Sequence, residues 1–161
     1  MQESADPAYR LVDQLTAEWT EAVNSVLREF NRTQNPTFWA ALDRPEGTAR
    51  NLNVLAFDAR QSLIGGLFAE TRLSWLTMSV LAVATGSRGR GIGSRLVAIA
   101  EAEAVARGCR YAFADTMDYQ APEFYRRLDY QVVGRLDDWD SHGHAKLFLV
   151  KQLHGSAAGS G

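Results

Sequence analysis

The 161-residue sequence predicts an α/β protein: a mixed sheet in which an antiparallel meander leads into a βαβ crossover, with helices on both faces. Three observations predict it. Three apolar runs between Asn53 and Ala84 follow one another with only short polar turns between them, the pattern of a meander. The third run empties through a glycine-rich loop into a long amphipathic helix and a further apolar run, which makes a strand–helix–strand unit with parallel strands. A short helix and two more apolar runs then close the chain.

Met1 to Pro7 is polar, and Tyr9 to Leu15 reads as a first short strand or as an approach to the helix. Trp19, Val23, Val26, Leu27 and Phe30 recur at spacings of three and four, so a helix is expected from Thr16, its N-cap, to the Asn35-Pro36 break. Thr37 to Asn51, with Phe38, Trp39, Pro45 and Gly47, reads as an ordered loop. Strands are expected at Asn53–Ala59, Leu63–Leu73 and Trp75–Ala84, with Gly65-Gly66 marking a bulge or a close packing contact. The next helix, Gly91 to Arg107, carries Ile92, Leu96, Ile99, Ala100 and Ala104 on one stripe and ends at Gly108. Strand Arg110–Thr116, helix Ala121–Leu128 and strands Tyr130–Leu136 and Ala145–Leu153 follow. One domain is expected over 1–153, with 154–161 a flexible Gly/Ala/Ser-rich tail.

Composition excludes several functions. A chain that is 46% hydrophobic and 22% charged suits a globular protein able to bury a core. A net charge of −2 argues against nucleic-acid binding. No apolar run approaches the ~18 residues of a membrane span and no signal peptide opens the chain, so no membrane partner is expected and a cytoplasmic location is. Cys109 is the single cysteine, which excludes an intrachain disulfide and suits a reducing compartment. The histidines, His142, His144 and His154, form no cluster at zinc spacing, so no metal is expected.

The stretch Leu81–Ser94, LAVATGSRGRGIGS, carries the chemistry. Glycines allow close backbone approach to a ligand, and the first amides of a helix have no intrahelical acceptor, so strand, glycine loop and helix start make a phosphate cradle. Arg88 and Arg90 add positive charge. It is not a P-loop, because Ile92 and Gly93 follow Gly91 where Lys and Ser/Thr would be needed. It is not the dinucleotide fingerprint, because Ser94 holds the third glycine place. What fits is Arg-x-x-Gly-x-Gly at Arg88, Gly91 and Gly93. A second segment, Ala121–Tyr130 (APEFYRRLDY), places Phe124, Tyr125, Leu128 and Tyr130 in an aromatic pattern with Asp129 where a glycine is usual.

Together these segments resemble the GNAT N-acetyltransferase superfamily, over essentially Tyr9 to Leu153, and a bacterial small-molecule member in particular. The resemblance implies acetyl-CoA as cosubstrate. It implies that the backbone of Leu81, Ala82 and Val83 pairs with the pantetheine, and that Arg88, Gly89, Arg90, Gly91, Ile92, Gly93 and Ser94 hold the pyrophosphate. It gives Tyr125 the role of protonating the departing thiolate. A phenol, with a pKa of about 10, keeps its proton at neutral pH. The family often has an Asn facing the pantetheine where this chain has Asp118. Asp129 must adopt a left-handed backbone at the corner the family fills with glycine.

The acceptor amine needs a proton acceptor. The strand before the glycine loop lacks the carboxylate many relatives use there, so Glu70, Asp115, Asp118 and His142 stay open as bases, beside a water relay through Ser79. A strand amide near Leu81 is a candidate donor to the developing oxyanion. Asp138, Asp140 and His142, in the loop DDWDSHGH, together with Trp39 and Glu70, are the candidate acceptor contacts. Carboxylates around an aromatic suit a small cationic amine such as an aminoglycoside-like antibiotic or a polyamine. A peptide acceptor, and a non-catalytic acyl-CoA sensor, are the alternatives; exposed strand edges would permit a homodimer.

Overall fold

The computed structural model describes residues 7–154, so the expectations for Met1–Asp6 and for the tail beyond His154 lie outside the described residues. The described residues fall into two compact units, 7–40 and 41–154.

In the first unit, helix α1 spans Ala17–Gln34. Thr16 caps it as expected, its hydroxyl accepting from the Trp19 amide at 3.1 Å. Asn35 ends α1 and also starts the next helix, its side chain accepting from the Phe38 amide at 3.1 Å. That helix, α2 (Pro36–Leu42), runs across the boundary between the units and replaces the first part of the loop expected over Thr37–Asn51, with Pro36 in the first-turn position where a missing amide proton costs nothing. Tyr9–Leu15 is not a strand. Its alternation fails at the adjacent Leu11 and Val12, and no neighbouring strand pairs with it among the described residues.

The second unit is a six-stranded mixed sheet. Its strands are β1 (Arg50–Phe57), β2 (Leu63–Arg72), β3 (Trp75–Val83), β4 (Tyr111–Met117), β5 (Gln131–Leu136) and β6 (Lys146–Gln152), in the order β1-β2-β3-β4-β6-β5. The meander β1-β2-β3 is antiparallel, β3 and β4 are parallel, and β6 inserts antiparallel between β4 and β5. Helix α3 (Ile92–Ala106) is the crossover between β3 and β4 and packs on β1, β2 and β3. Its buried stripe of Leu96, Val97, Ala100 and Ala104 meets Leu52, Leu67, Ala69, Leu76 and Met78; of the residues expected on it, Ile92 is only partly buried and Ile99 is exposed, with Val97 buried instead. The alanines let helix and sheet approach closely. At its end the Gly108 amide bonds the Val105 carbonyl and the Cys109 amide the Ala104 carbonyl, a Schellman closure. Helix α4 (Pro122–Arg126) precedes β5. Among the described residues no helix is long and apolar enough to cross a membrane.

Two details of register position the site. Leu63 faces Phe57 and Gly65 faces Ala56, so the extra residue of β2 is Ile64; Gly65 and Gly66 pair regularly and serve close packing instead. A Cβ on either glycine would sit 3.0 Å from Ala82 O or Leu55 Cδ2. In β3, Val80 faces Phe68 and Met78 faces Ala69, leaving Ser79 as a bulge. The bulge shifts the side-chain phase by one, so Leu76 and Met78 face the core before it and Leu81 and Val83 after it.

A partly buried polar knot ties α3 to the far strands. Glu101 accepts from the Tyr130 hydroxyl and from Lys151 Nζ, each at 2.8 Å. Burial, and then the Glu101 charge, push the Tyr130 phenol far above its ordinary range. Glu101→Ala strands both partners and should lower unfolding stability by about 1–3 kcal/mol in a denaturant titration. An unchanged midpoint would show that the knot contributes nothing.

Candidate active site

Strands β3 and β4 share only four rungs, from Trp75–Tyr111 to Met78–Ala114. Beyond Met78 the β4-facing edge of Ser79–Val83 has no partner strand, while its other edge stays paired to β2. Beyond Ala114, β4 continues beside β6 alone. The two strands diverge around a cavity of about 1020 Å³. Met78–Val83 form one wall, Asp115, Thr116 and Met117 another, and Phe124 and Tyr125 of α4 a third.

The glycine loop forms one end of this cavity. Gly89 (φ 74°) and Gly91 (φ 75°) take left-handed conformations that side chains resist. Among the described residues the amides of Gly89 to Ser94 donate to no backbone carbonyl; the first helical bond is Arg95 N to Gly91 O, 3.0 Å. Consecutive free amides at the start of a 15-residue helix make a donor set for an anion. Arg88 lines the cavity and is steadied by Nε donating to Val83 O at 3.1 Å. Arg90 is exposed and does not line it. A Cβ on Gly93 would meet the Phe124 ring at 3.2 Å, so the glycine is what allows α4 to pack there.

The other end holds Ser79, Asp115 and Tyr125, which the fold brings to one cavity from β3, β4 and α4. Tyr125 is buried, and its hydroxyl takes no hydrogen bond among the described residues. Burial, then the charge of Asp115, raise its phenol above the ordinary value, so it carries a transferable proton at neutral pH. The corner after α4 closes through Asp129 at φ 67°, the left-handed geometry expected of the residue standing in for glycine.

An acetyltransferase (GNAT) domain model matches residues 34–132. The chain belongs to the GNAT acetyltransferase family. It is 38% identical over 131 residues to the blasticidin-S acetyltransferase of Streptomyces morookaense, covering 79% of this chain and 96% of that one. The crystal structure of an acetyltransferase from Agrobacterium tumefaciens is 32% identical with a TM-score of 0.65, covering 91% of this chain and 99% of the other. An acetyltransferase from Bacillus cereus shares the fold, with a TM-score of 0.72 at 24% identity over 89% and 98% of the two chains.

The remaining sequence candidates of this acetyltransferase lie elsewhere. Asp118 does not line the cavity. It accepts from the Ala145 amide at 3.0 Å and meets His144 Nδ1 at 3.1 Å, clamping the β5–β6 loop. Asp138 accepts from the Gly143 amide at 2.7 Å, and Asp140 from the amides of His142 and His144 at 2.9 and 3.1 Å. These carboxylates satisfy the loop's own amides, and neither they nor His142 lines the cavity. Glu70 lies with Asn51, Asn53, Thr77 and Ser79 in a separate depression of about 440 Å³. Trp39 belongs to the first unit, 5.3 Å beneath the Arg32 guanidinium. Cys109 is buried, its thiol pushed up by that burial, and does not line the cavity. Sequence reasoning missed Lys146 and Arg127, which do. The available signal for Lys146 was its place on the Phe148 face of the alternating run KLFLV, one residue before Leu147.

The Asp118 clamp has a signed pH dependence. The Ala145 amide, above all, holds its carboxyl below the ordinary carboxylate range. The Ala145–Asp118 bond is therefore complete above about pH 4 and is lost only as pH falls through the lower folded value. Exchange of the Ala145 amide, which donates directly to Asp118, should be flat from pH 7 to 5 after correction for intrinsic rates. In Asp118→Ala it should already be faster at pH 7; equal rates in variant and wild type would remove the clamp.

Proposed function

We propose that this acetyltransferase uses acetyl-CoA to acetylate a primary amine of a small, antibiotic-type molecule by direct transfer in a ternary complex. The observation that carries the reading is the single cavity that runs from Arg88 and five residues of the glycine loop whose amides donate to no backbone carbonyl among the described residues (Gly89 and Gly91–Ser94), along an unpaired strand edge, to Ser79, Asp115 and Tyr125. An elongated anionic thioester matches that sequence of features: the amides of Gly89–Ser94 with Arg88 take the pyrophosphate, and the open edge of Leu81–Val83 takes the pantetheine amides as an added strand would. The 38% identical relative, named for acetylating the antibiotic blasticidin S, supports an acceptor of that type.

Acetyl-CoA, when bound, supplies an acyl group already activated for attack by an amine. This chain's residues then manage two protons. Of the four base candidates, Asp115 alone lines the cavity, and it receives the proton that the acceptor nitrogen must lose. Tyr125 gives its hydroxyl proton to the sulfur as the C–S bond breaks and the C–N bond forms, and regains one from solvent. Cys109 takes no part, and no acyl-enzyme is required.

Thiol release from acetyl-CoA should be measured across blasticidin S, aminoglycosides, polyamines and short peptides. Release with a small amine and a matching gain of one acetyl group is expected; release with peptides alone would contradict the acceptor class. Tyr125→Phe should lower kcat by about 10²-fold with the acetyl-CoA Kd unchanged. Unchanged turnover would remove Tyr125 from the chemistry.

A further inference from the structure

The cavity wall contains a cation that the transfer chemistry does not use. Lys146 opens β6, and its Nζ lies 3.0 Å from Asp115 Oδ1. Among the described residues this is the one ion pair with both members lining the cavity. Strand register explains the contact: Met117 faces Lys146 and Asp115 faces Phe148, so the two charges are diagonal neighbours on one face of β4 and β6. Trp139 of the β5–β6 loop covers the ammonium, its ring centroid 4.8 Å from Nζ. Both side chains are partly shielded, at 21% and 41% exposure, so neither charge is fully compensated by water.

A polycationic acceptor fits this end of the cavity poorly, because its charges would meet Lys146. A molecule carrying both signs fits well. Its ammonium can turn to Asp115 and its carboxylate to Lys146, so that one ion pair is exchanged for two and no charge is left alone. We infer that the acceptor is an amino-acid-like zwitterion, with Lys146 binding its carboxylate and Asp115 its amine. The two protein charges touch, so the amine and carboxylate of the acceptor are separated by one or two carbons. Lys146 is thus a specificity residue: it selects against amines that lack the anion, as well as for those that have it. This inference rests on the acetyl-CoA reading of the cavity.

The experiment compares matched trios, each an α- or β-amino acid, its carboxamide and its decarboxylated amine, by thiol release with calorimetric measurement of acetyl-CoA binding alongside. The amino acid should exceed its carboxamide at least about tenfold in kcat/KM, the worth of one charge-assisted bond. Lys146→Met should bring the acid down to the level of the carboxamide with acetyl-CoA Kd unchanged, and Lys146→Arg should restore the preference. Thermal melts of both variants identify any loss from misfolding, and the arginine variant is read if the methionine one does not fold. Equal rates within the trios, a better rate for the decarboxylated amine, or no release from any trio while acetyl-CoA binds would each overturn the zwitterion assignment and leave the transferase reading standing. Failure to bind acetyl-CoA would overturn both.

Discussion

Everything about the site depends on the parting of β3 and β4. A parallel pair hydrogen-bonded along its whole length would leave no room between its strands. Here the pairing stops after Met78–Ala114, and the bulge at Ser79 falls at that point. The bulge increases local twist and turns the last residues of β3 away. It also changes the side-chain phase, so Leu81 and Val83 still bury against the core that Leu76 and Met78 began. The diverging edge is therefore held in place by ordinary packing and leaves backbone groups of Ser79–Val83 without a strand partner on the β4 side. Unpaired backbone groups are costly unless water or a ligand meets them, and the cavity gives a ligand that access.

The same parting separates two electrostatic environments. Where β3 runs out, the Gly89–Ser94 amides and Arg88 make a positive end. Where the strands first diverge, Asp115, Lys146 and the protonated Tyr125 meet. Helix α3 supports the first end through its core stripe and α4 supports the second, and Gly93 allows the two helices to meet against the Phe124 ring. The β5–β6 loop is fixed beside this second end by Asp118, and Trp139 lies over Lys146.

Local features were legible in the sequence and pairings between distant residues were not. The glycine loop, the Thr16 cap and the left-handed corner at Asp129 each depend on residues a few positions apart, and each is found; the α3 stripe is found at Leu96, Ala100 and Ala104 but not at Ile99, which is exposed. The meander and crossover follow from runs of apolar residues with turns between them. A seven-residue helix at Pro36–Leu42 is too short for helical periodicity to show, so it read as loop. The acidic loop looked free to hold a cation because its carboxylates are visible in sequence, whereas the amides they satisfy become visible only once the chain turns back on itself. Asp115 was a candidate among four equals until strand register placed it, with Lys146, in the cavity wall.

The central question for the site is whether the cosubstrate occupies the gap between β3 and β4. The direct measurement is backbone amide NMR or hydrogen exchange on the full chain with and without acetyl-CoA. The amides of Ser79–Val83 and Gly89–Ser94 are expected to shift or gain protection together on binding, while those of β5 do not. Protection confined to other strands, or binding that leaves both segments unchanged, would contradict that placement.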